Sequence, residues 1–134
     1  MLGLLGCAGL FGQVFCFESF APGALSPEEA GVASAPGPDR RKVVCKPWPA
    51  AFQITLSRLG VADPRKACFL DDNARNCRGA KALGIFTVLV GGKGHDPEVS
   101  DVTIGSILEL PEALPQLFAA EPEGGAGAGA EAGR

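Results

Sequence analysis

Short apolar runs recur along the chain, and most of them are continuous rather than interrupted by polar residues at every second position. Residues 42–45, 67–70 and 85–90 form such runs, and residues 102–104 form a shorter one. A continuous apolar run of this length is typical of a strand that is buried on both faces, as the strands of parallel sheets are. We therefore predict four buried strands here, and residues 11–17 are compatible with one more strand before them.

Stretches of helical periodicity lie between these strands. Residues 49–59 carry apolar side chains on one helical face and end at Gly60, and residues 74–83 end in the same way at Gly84. A last helix is expected within residues 106–118. The alternation of strands and helices predicts an α/β fold, with a parallel sheet covered by helices on both faces.

Glycine and proline are concentrated outside this regular part of the chain. The 134 residues include 19 glycines and 11 prolines, and 46% of all residues are hydrophobic. That hydrophobic content excludes a wholly disordered or collagen-like protein. We divide the chain into an N-terminal part with a strand (1–20), a Pro- and Gly-rich insertion expected to be mobile or disordered (21–41), an α/β core (42–119) and a disordered tail (120–134).

Charge is distributed unevenly along the chain. Residues 40–81 hold ten of the 12 basic residues and only three of the 15 acidic ones. A basic segment that contains an acidic pair is suited to an anionic ligand or a metal-bound phosphate, and solvated helix faces would give the same pattern. Nucleic acid is not an expected partner, because no basic patch is interleaved with aromatic residues.

The cysteines and the apolar start of the chain bear on its location. Five cysteines and one histidine are present, and since no two cysteines have C-x-x-C spacing, a zinc site is not expected. Cys16, Cys45 and Cys68 lie in apolar runs, where we expect them to be buried and reduced. Residues 1–17 carry no charge, but they lack the basic start of a signal peptide, and their glycines disfavour a membrane helix. These features favour a cytoplasmic protein without a membrane segment.

Charged residues follow two of the predicted strands. Asp71 and Asp72 come directly after the second strand, and Lys46 after the first. Ligands of open α/β sheets bind beyond the carboxyl ends of the strands, and adjacent carboxylates repel each other unless a cation neutralises them. Mg²⁺ suits such hard oxygen ligands, and a lysine offers a positive charge to a phosphoryl oxygen. The structural alternative is that Asp72 or Asn73 caps the next helix while Lys46 is solvated.

Three passages of the chain occur in a distinctive order. They are Val44-Cys45-Lys46-Pro47 before an amphipathic helix, then Phe69-Leu70-Asp71-Asp72-Asn73-Ala74-Arg75-Asn76 with Gly79-Ala80-Lys81, then Leu83-Gly84-Ile85-Phe86-Thr87-Val88-Leu89-Val90-Gly91. Together they resemble the C-terminal half of haloacid dehalogenase-like hydrolases. The pyrimidine 5′-nucleotidase-like branch is the most similar, because it also has passages like Phe15-Cys16-Phe17-Glu18 and Ile107-Leu108-Glu109-Leu110-Pro111. The resemblance spans residues 2–118, with residues 21–40 unmatched.

The resemblance implies a Rossmann-like domain and Mg²⁺-dependent phosphoryl transfer. Lys46 matches the family's lysine that steadies the charge of the nucleophile and the phosphate. Asp71 and Asp72 match its acidic pair that holds Mg²⁺, with Asp72 the expected direct ligand, and Asn73 and Asn76 are expected to support these ligands. The implied substrate is a small phosphate ester, a nucleoside 5′-monophosphate in this branch.

The chain departs from the family at the first two motifs. The family's nucleophile lies in a D-x-D-x-T/V loop after the first strand, and no such sequence occurs here. Nor does a Ser or Thr follow an upstream strand to bind the phosphoryl oxygens. The resemblance therefore implies that the sheet is incomplete at its N-terminus, that the chain begins within what is a longer protein among its relatives, and that it has no turnover alone.

Two other functions fit some of the same residues. The first is a non-catalytic module derived from this family, which binds a metal or pairs with a protein through the unpaired edge of an incomplete sheet. The second is a phosphoacceptor receiver domain, which also combines an acidic pair, a lysine and a parallel sheet. The receiver design expects the acids before the lysine, whereas Lys46 here precedes Asp71.

Overall fold

A parallel three-stranded sheet forms the centre of the protein. The computed structural model describes residues 8–34 and 44–119. The strands are β1 (Cys68–Asp71), β2 (Phe86–Val90) and β3 (Val102–Ile104), in the order β1-β2-β3. Both pairs are parallel, as the continuous apolar runs predict.

Within residues 8–34 and 44–119, four α-helices and several single turns of 3₁₀-helix surround the sheet. The helices are α1 (Pro27–Ala33), α2 (Pro49–Arg58), α3 (Ala74–Lys81) and the short α4 (Leu110–Ala113). The 3₁₀ turns are Ala8–Leu10, Phe17–Phe20, Pro22–Ala24, Pro64–Lys66, Ile107–Glu109 and Pro115–Leu117. None of these helices is long and apolar enough to cross a membrane.

Helices α2 and α3 cover one face of the sheet. Phe69 of β1 lies on this face, and its ring packs edge-to-face against Phe52 of α2, with ring centroids 5.2 Å apart. Phe52, Ala80 of α3 and Ile85 are buried together here. This packing stabilises the fold chiefly by removing apolar surface from water.

The C-terminal turns cover the opposite face. Because side chains alternate along a strand, Val88 and Ile104 point away from α2 and α3, and they are buried with Leu114. Leu110 of α4 packs against this cluster. Helical segments therefore cover both faces of the sheet, as predicted, and the fold is a small α/β arrangement of Rossmann-like type.

Arg58 attaches the N-terminal segment to the end of α2. Its guanidinium donates two hydrogen bonds to the carboxylate of Glu29 in α1, at 2.7 and 3.0 Å, and a third to the carbonyl oxygen of Ser19 at 2.8 Å. It also lies over the rings of Phe15 and Phe20, 5.9 and 5.2 Å from their centroids. The hydrogen bonds from Arg58 lower the pKa of Glu29 from its ordinary value of 4.5 to about 2.

Two predicted strands differ from the structure. Val44 and Cys45 are not in a strand, and residues 42 and 43 lie outside the described residues. Residues 11–16 form no strand either, and a 3₁₀ turn begins at Phe17. Val44 is instead buried with Ala50 of α2. The run at residues 11–16 stays largely at the surface, with Phe11 and Val14 exposed.

The expected insertion at residues 21–41 contains a helix where we expected a mobile or disordered segment. Helix α1 begins with a capping box, in which Ser26 accepts from the N–H of Glu29 at 3.2 Å, and Glu29 accepts from the N–H of Ser26 at 2.8 Å. Residues 35–41, like the tail predicted at 120–134, lie outside the described residues.

Burial of the cysteines also differs from expectation. Of the four cysteines in the described part of the chain, Cys16 and Cys45 are exposed, Cys68 is half-buried and Cys77 is buried. Apolar neighbours in sequence do not bury Cys16 and Cys45, because these residues lie in irregular segments outside the sheet. Cys77 is buried since it lies on the inward side of α3.

Candidate functional site

The candidate site lies where β1 ends and α3 begins. Asp71 is the last residue of β1, Asp72 follows it in a bend, and Asn73 caps α3 by accepting a hydrogen bond from the N–H of Arg75 at 2.9 Å. The carboxyl edge of a parallel sheet is the usual ligand-binding edge of α/β folds. The capping role considered for Asp72 or Asn73 therefore falls to Asn73.

Lys46 reaches this edge from the turn before α2. Its Nζ lies 2.6 Å from Oδ2 of Asp71 and 5.2 Å from the ring centroid of Phe69. The side chain of Asp71 is only 7% exposed, whereas that of Lys46 is 49% exposed. The structure thus joins two residues that are 25 positions apart in sequence.

Two amide groups complete the surroundings of Asp71. The backbone N–H of Asn73 and the side-chain amide of Asn76 both donate to Oδ1 of Asp71, at 2.9 and 3.0 Å. Burial opposes ionisation of this carboxyl, but the hydrogen bonds from Lys46, Asn73 and Asn76 outweigh it and lower the pKa of Asp71. Asp71 is therefore held as a carboxylate with a defined orientation.

Asp72 differs from Asp71 in having its carboxylate free. It is exposed, and it makes no hydrogen bond to another residue in the described part of the chain. A carboxylate that no neighbouring donor occupies is available to a ligand from solution. Among the candidate residues, Asp72 therefore has the carboxylate that is open to solvent.

The residues at this edge offer Mg²⁺ few protein ligands. Both oxygens of Asp71 are engaged by Lys46, Asn73 and Asn76, which leaves Asp72 as the free carboxylate. No group of three or more His, Cys, Asp or Glu side chains suited to a metal occurs within the described residues. Mg²⁺ commonly takes only one or two carboxylates and completes its octahedron with waters and substrate phosphate. The donor set fits that kind of shared site, and not a cage made by protein alone.

Gly79 and Cys77 hold α3 against this edge. A Cβ atom at Gly79 would lie 2.7 Å from the carbonyl oxygen of Pro47, so only glycine lets α3 approach the turn that carries Lys46. The thiol of Cys77 points at the carbonyl oxygen of Asp71, 3.7 Å away. Burial, and then the charge of Asp71, raise the pKa of Cys77, so this thiol is a structural group. The sequence analysis identified neither role. The spacing of Cys77 and Ala80 on one face of α3 was a signal that Cys77 would be buried.

A second charged cluster supports the connection between β2 and β3. Asp101 accepts hydrogen bonds from the N–H of Thr87 at 2.8 Å and from its hydroxyl at 3.1 Å, and it pairs with Lys81 of α3. Burial opposes ionisation of Asp101, but these donors lower its pKa. Thr87 is fully buried, and the cluster satisfies its hydroxyl within the core. This cluster is structural, and sequence reasoning did not identify it.

An apolar pocket of about 460 Å³ opens beside Lys46. Its walls come from the N-terminal segment, the turn before α2, α2 itself and β1, and they include Phe15, Phe20, Val44, Leu56 and Phe69. The polar cluster of Lys46, Asp71 and Asn76 and this pocket therefore share one side of the sheet edge.

The chain is similar in part to known proteins, among them the two relatives described below. No protein-family model matches the chain. The chain is 38% identical over 68 residues, 51% of its length, to "Acyl-CoA dehydrogenase family member 10" of Mus musculus, of which this stretch is 6%. It is also 38% identical over 55 residues, 41% of its length, to "(S)-2-haloacid dehalogenase 4A" of Burkholderia cepacia, of which this stretch is 23%.

The chain therefore spans less than a quarter of either relative. The second similarity links it to a haloacid dehalogenase, in agreement with the resemblance carried by the passages around Lys46 and Asp71. Neither relative is named as a pyrimidine nucleotidase. At this coarser level, the chain is similar in part to a haloacid dehalogenase and has a small parallel α/β sheet.

Proposed function

We propose that this chain carries the cation- and phosphate-binding part of a hydrolase of the haloacid dehalogenase type, a phosphatase for small phosphate esters. The observation that carries the proposal is the cluster at the end of β1. There Lys46 lies 2.6 Å from a carboxylate oxygen of Asp71, Asn76 fixes the other oxygen, and Asp72 is exposed beside them. The narrower substrate class is a nucleoside 5′-monophosphate, which the resemblance to the pyrimidine 5′-nucleotidase-like branch supports.

In this proposal each residue of the cluster has a separate task. Asp72 and a substrate phosphate would hold Mg²⁺, with Asp71 oriented by its amide donors beside them, and the ion would supply charge neutralisation at the phosphoryl oxygens. Lys46, half-exposed at the edge, presents its remaining N–H groups to an anionic group there. Asn73 and Asn76 keep the carboxylate of Asp71 in place, which preserves the position of Lys46.

The 134-residue chain is not expected to hydrolyse phosphate esters by itself. No D-x-D-x-T/V sequence is present to provide an attacking carboxylate, and covalent catalysis has no substitute for its nucleophile. We propose that the three-stranded sheet is the C-terminal part of a larger sheet, to which the nucleophile belongs.

Phosphate release from a panel of phosphate monoesters, with Mg²⁺ present, tests the absence of turnover. Wild type and Asp72→Asn should both release no phosphate above the buffer level. Release by the wild type that Asp72→Asn abolishes would contradict this part of the proposal. The matched control is Glu112→Gln, which removes an exposed carboxylate from α4.

Ligand binding separates the phosphatase proposal from a non-catalytic metal-binding module. If the cluster serves phosphate chemistry, a pyrimidine nucleoside monophosphate should bind only with Mg²⁺, and each should tighten binding of the other, because they share the site. A module that serves the metal alone would bind Mg²⁺ equally with and without the nucleotide. A parallel assay of halide release from a 2-haloacid examines the chemistry that the name of the bacterial relative describes.

A further inference from the structure

The ammonium group of Lys46 lies over the ring of Phe69. The Nζ atom is 5.2 Å from the ring centroid, within the range in which the negative face of an aromatic ring attracts a cation. Phe69 and Asp71 are two positions apart on β1, so their side chains point to the same face of the sheet. Lys46 therefore meets a ring and a carboxylate that one strand presents side by side.

The ring of Phe69 is itself held by the packing around it. It contacts the ring of Phe52 in α2, with the two ring planes at 88° and the centroids 5.2 Å apart, and Phe52 is only 5% exposed. Phe69 also packs on the buried cluster that contains Ala80 of α3. Because side chains in a packed interior sit in defined rotamers, Phe69 offers Lys46 a surface of fixed orientation.

Such a surface matters for Lys46 because its side chain is long and half-exposed. The backbone next to it is fixed by a turn, in which the N–H of Trp48 donates to the carbonyl oxygen of Cys45 at 3.0 Å. A flexible four-carbon stem nevertheless separates Nζ from that backbone, and an ion pair of a half-exposed lysine holds it only weakly. The contact with Phe69 adds to the bond to Asp71 and restricts Nζ to the sheet edge.

A ring suits this task better than a second carboxylate would. The ammonium group has three N–H donors, one of which is directed to Oδ2 of Asp71. A second carboxylate would oppose the positive charge and take a further donor, whereas a ring face attracts the cation but carries no net charge. With a ring beside it, Lys46 keeps both charge and donors for an anionic group from solution.

We propose that Phe69 is a positioning residue for Lys46, whose ammonium group its ring holds beside Asp71 and ready for a phosphate at the sheet edge. The inference rests on the proposed function for the anion that Lys46 meets, and it gives Phe69 no contact with that anion. The alternative is that Phe69 only fills space between β1 and α2. In that case any ring of the same shape would serve equally well, whatever the charge on its face.

Fluorination of the ring separates these two roles. Replacing Phe69 by pentafluorophenylalanine largely keeps the shape of the ring but removes the negative charge of its face, and with it the attraction for a cation. Binding of inorganic phosphate in the presence of Mg²⁺, measured by NMR titration of the full chain, should weaken roughly twofold to fivefold. Phe69→Tyr, which keeps an aromatic face, should bind phosphate like the wild type. The same fluorination at Phe118, an exposed ring of the C-terminal turns, is the control and should change nothing.

A second measurement on the same proteins requires no ligand. In the wild type, the two ε-methylene protons of Lys46 should have distinct NMR signals that are shifted by the ring current of Phe69. In the protein fluorinated at Phe69 they should approach the averaged signal of the exposed Lys93.

The two measurements distinguish failure of this inference from failure of the proposed function. Averaged Lys46 signals in the wild type would overturn the inference, and so would phosphate affinity that fluorination of Phe69 leaves unchanged. Lys46 signals that respond to fluorination in a chain that binds no phosphate would support the positioning role of Phe69 and contradict the proposed function alone.

Discussion

The carboxylate of Asp71 accepts three hydrogen bonds, and Lys46 is the only one of these three donors that carries a positive charge. The charge state of the sheet edge depends on that pair, because burial alone would favour the protonated form of Asp71. The pKa of Asp71 is lowered in the folded protein. Its interactions therefore stabilise the fold above the ordinary carboxyl pKa, and this contribution is lost as the pH falls through the lowered value.

Lys46→Met should raise the pKa of Asp71 and reduce the free energy of unfolding at neutral pH by about 1 kcal/mol, since Lys46 is half-exposed and partly screened. Carboxyl ¹³C NMR titration measures the first effect, and urea denaturation measures the second. Lys93→Met removes an exposed loop lysine and serves as the control. An unchanged titration of Asp71 in the Lys46 variant would show that the pair does not set its charge.

The Arg58–Glu29 pair makes a separate contribution to the pH dependence of stability. The pKa of Glu29 falls from 4.5 to about 2 on folding, so its contribution is present above pH 4.5 and disappears as the pH falls towards about 2. In Glu29→Gln, the free energy of unfolding should vary less over this interval than in the wild type. Urea denaturation at a series of pH values compares the two proteins, and Glu28→Gln controls for loss of a carboxylate from the same helix. Parallel curves for wild type and Glu29→Gln would contradict this role.

Among the secondary-structure elements, α3 depends on Gly79 for its position against the turn that carries Lys46. Gly79→Ala places a Cβ atom 2.7 Å from the carbonyl oxygen of Pro47, so the helix or the turn must move. We expect a loss of about 1–3 kcal/mol in the free energy of unfolding, together with a higher pKa of Asp71 as Lys46 is displaced.

The matched control for Gly79→Ala is Gly31→Ala in α1, where an added Cβ meets open space. That substitution should stabilise the protein by up to about 1 kcal/mol, because alanine has the higher helix propensity. Equal effects of the two substitutions in thermal or urea unfolding would show that α3 does not pack on the turn as closely as described.

For the whole molecule, the sequence predicts the central α/β order well and the N-terminal segment poorly. Strands β1, β2 and β3 and helices α2 and α3 follow from continuous apolar runs, helical spacing and the glycines that end them. The apolar residues near Val44 carry no sign of whether they join a sheet or pack on a helix, because both environments bury them alike. Helix α1 was missed although Ser26 and Glu29 form a capping box, a local signal that the many glycines and prolines around it obscured.

The candidate site, like the fold, could be predicted from the sequence only in part. The sequence places Lys46 at the same sheet edge as Asp71 through a predicted strand at residues 42–45. In the structure Val44 and Cys45 are in no strand, and Lys46 reaches Asp71 from the turn before α2. Local order along the chain could not show that Asn76 would bond to Asp71 or that Asp72 would stay free. Those outcomes depend on how α3 is rotated about its axis, which Asn73, Cys77 and Gly79 fix together.

The most direct test of the central claim is a ¹H–¹⁵N NMR titration of the 134-residue chain with Mg²⁺ in the presence of inorganic phosphate. We predict saturable shifts at residues 71–76 and at Lys46 that Asp72→Asn abolishes and Glu112→Gln leaves unchanged. Absence of saturable shifts in the wild type, shifts centred elsewhere, or an unaltered response in Asp72→Asn would contradict the claim that the end of β1 is a cation- and phosphate-binding site.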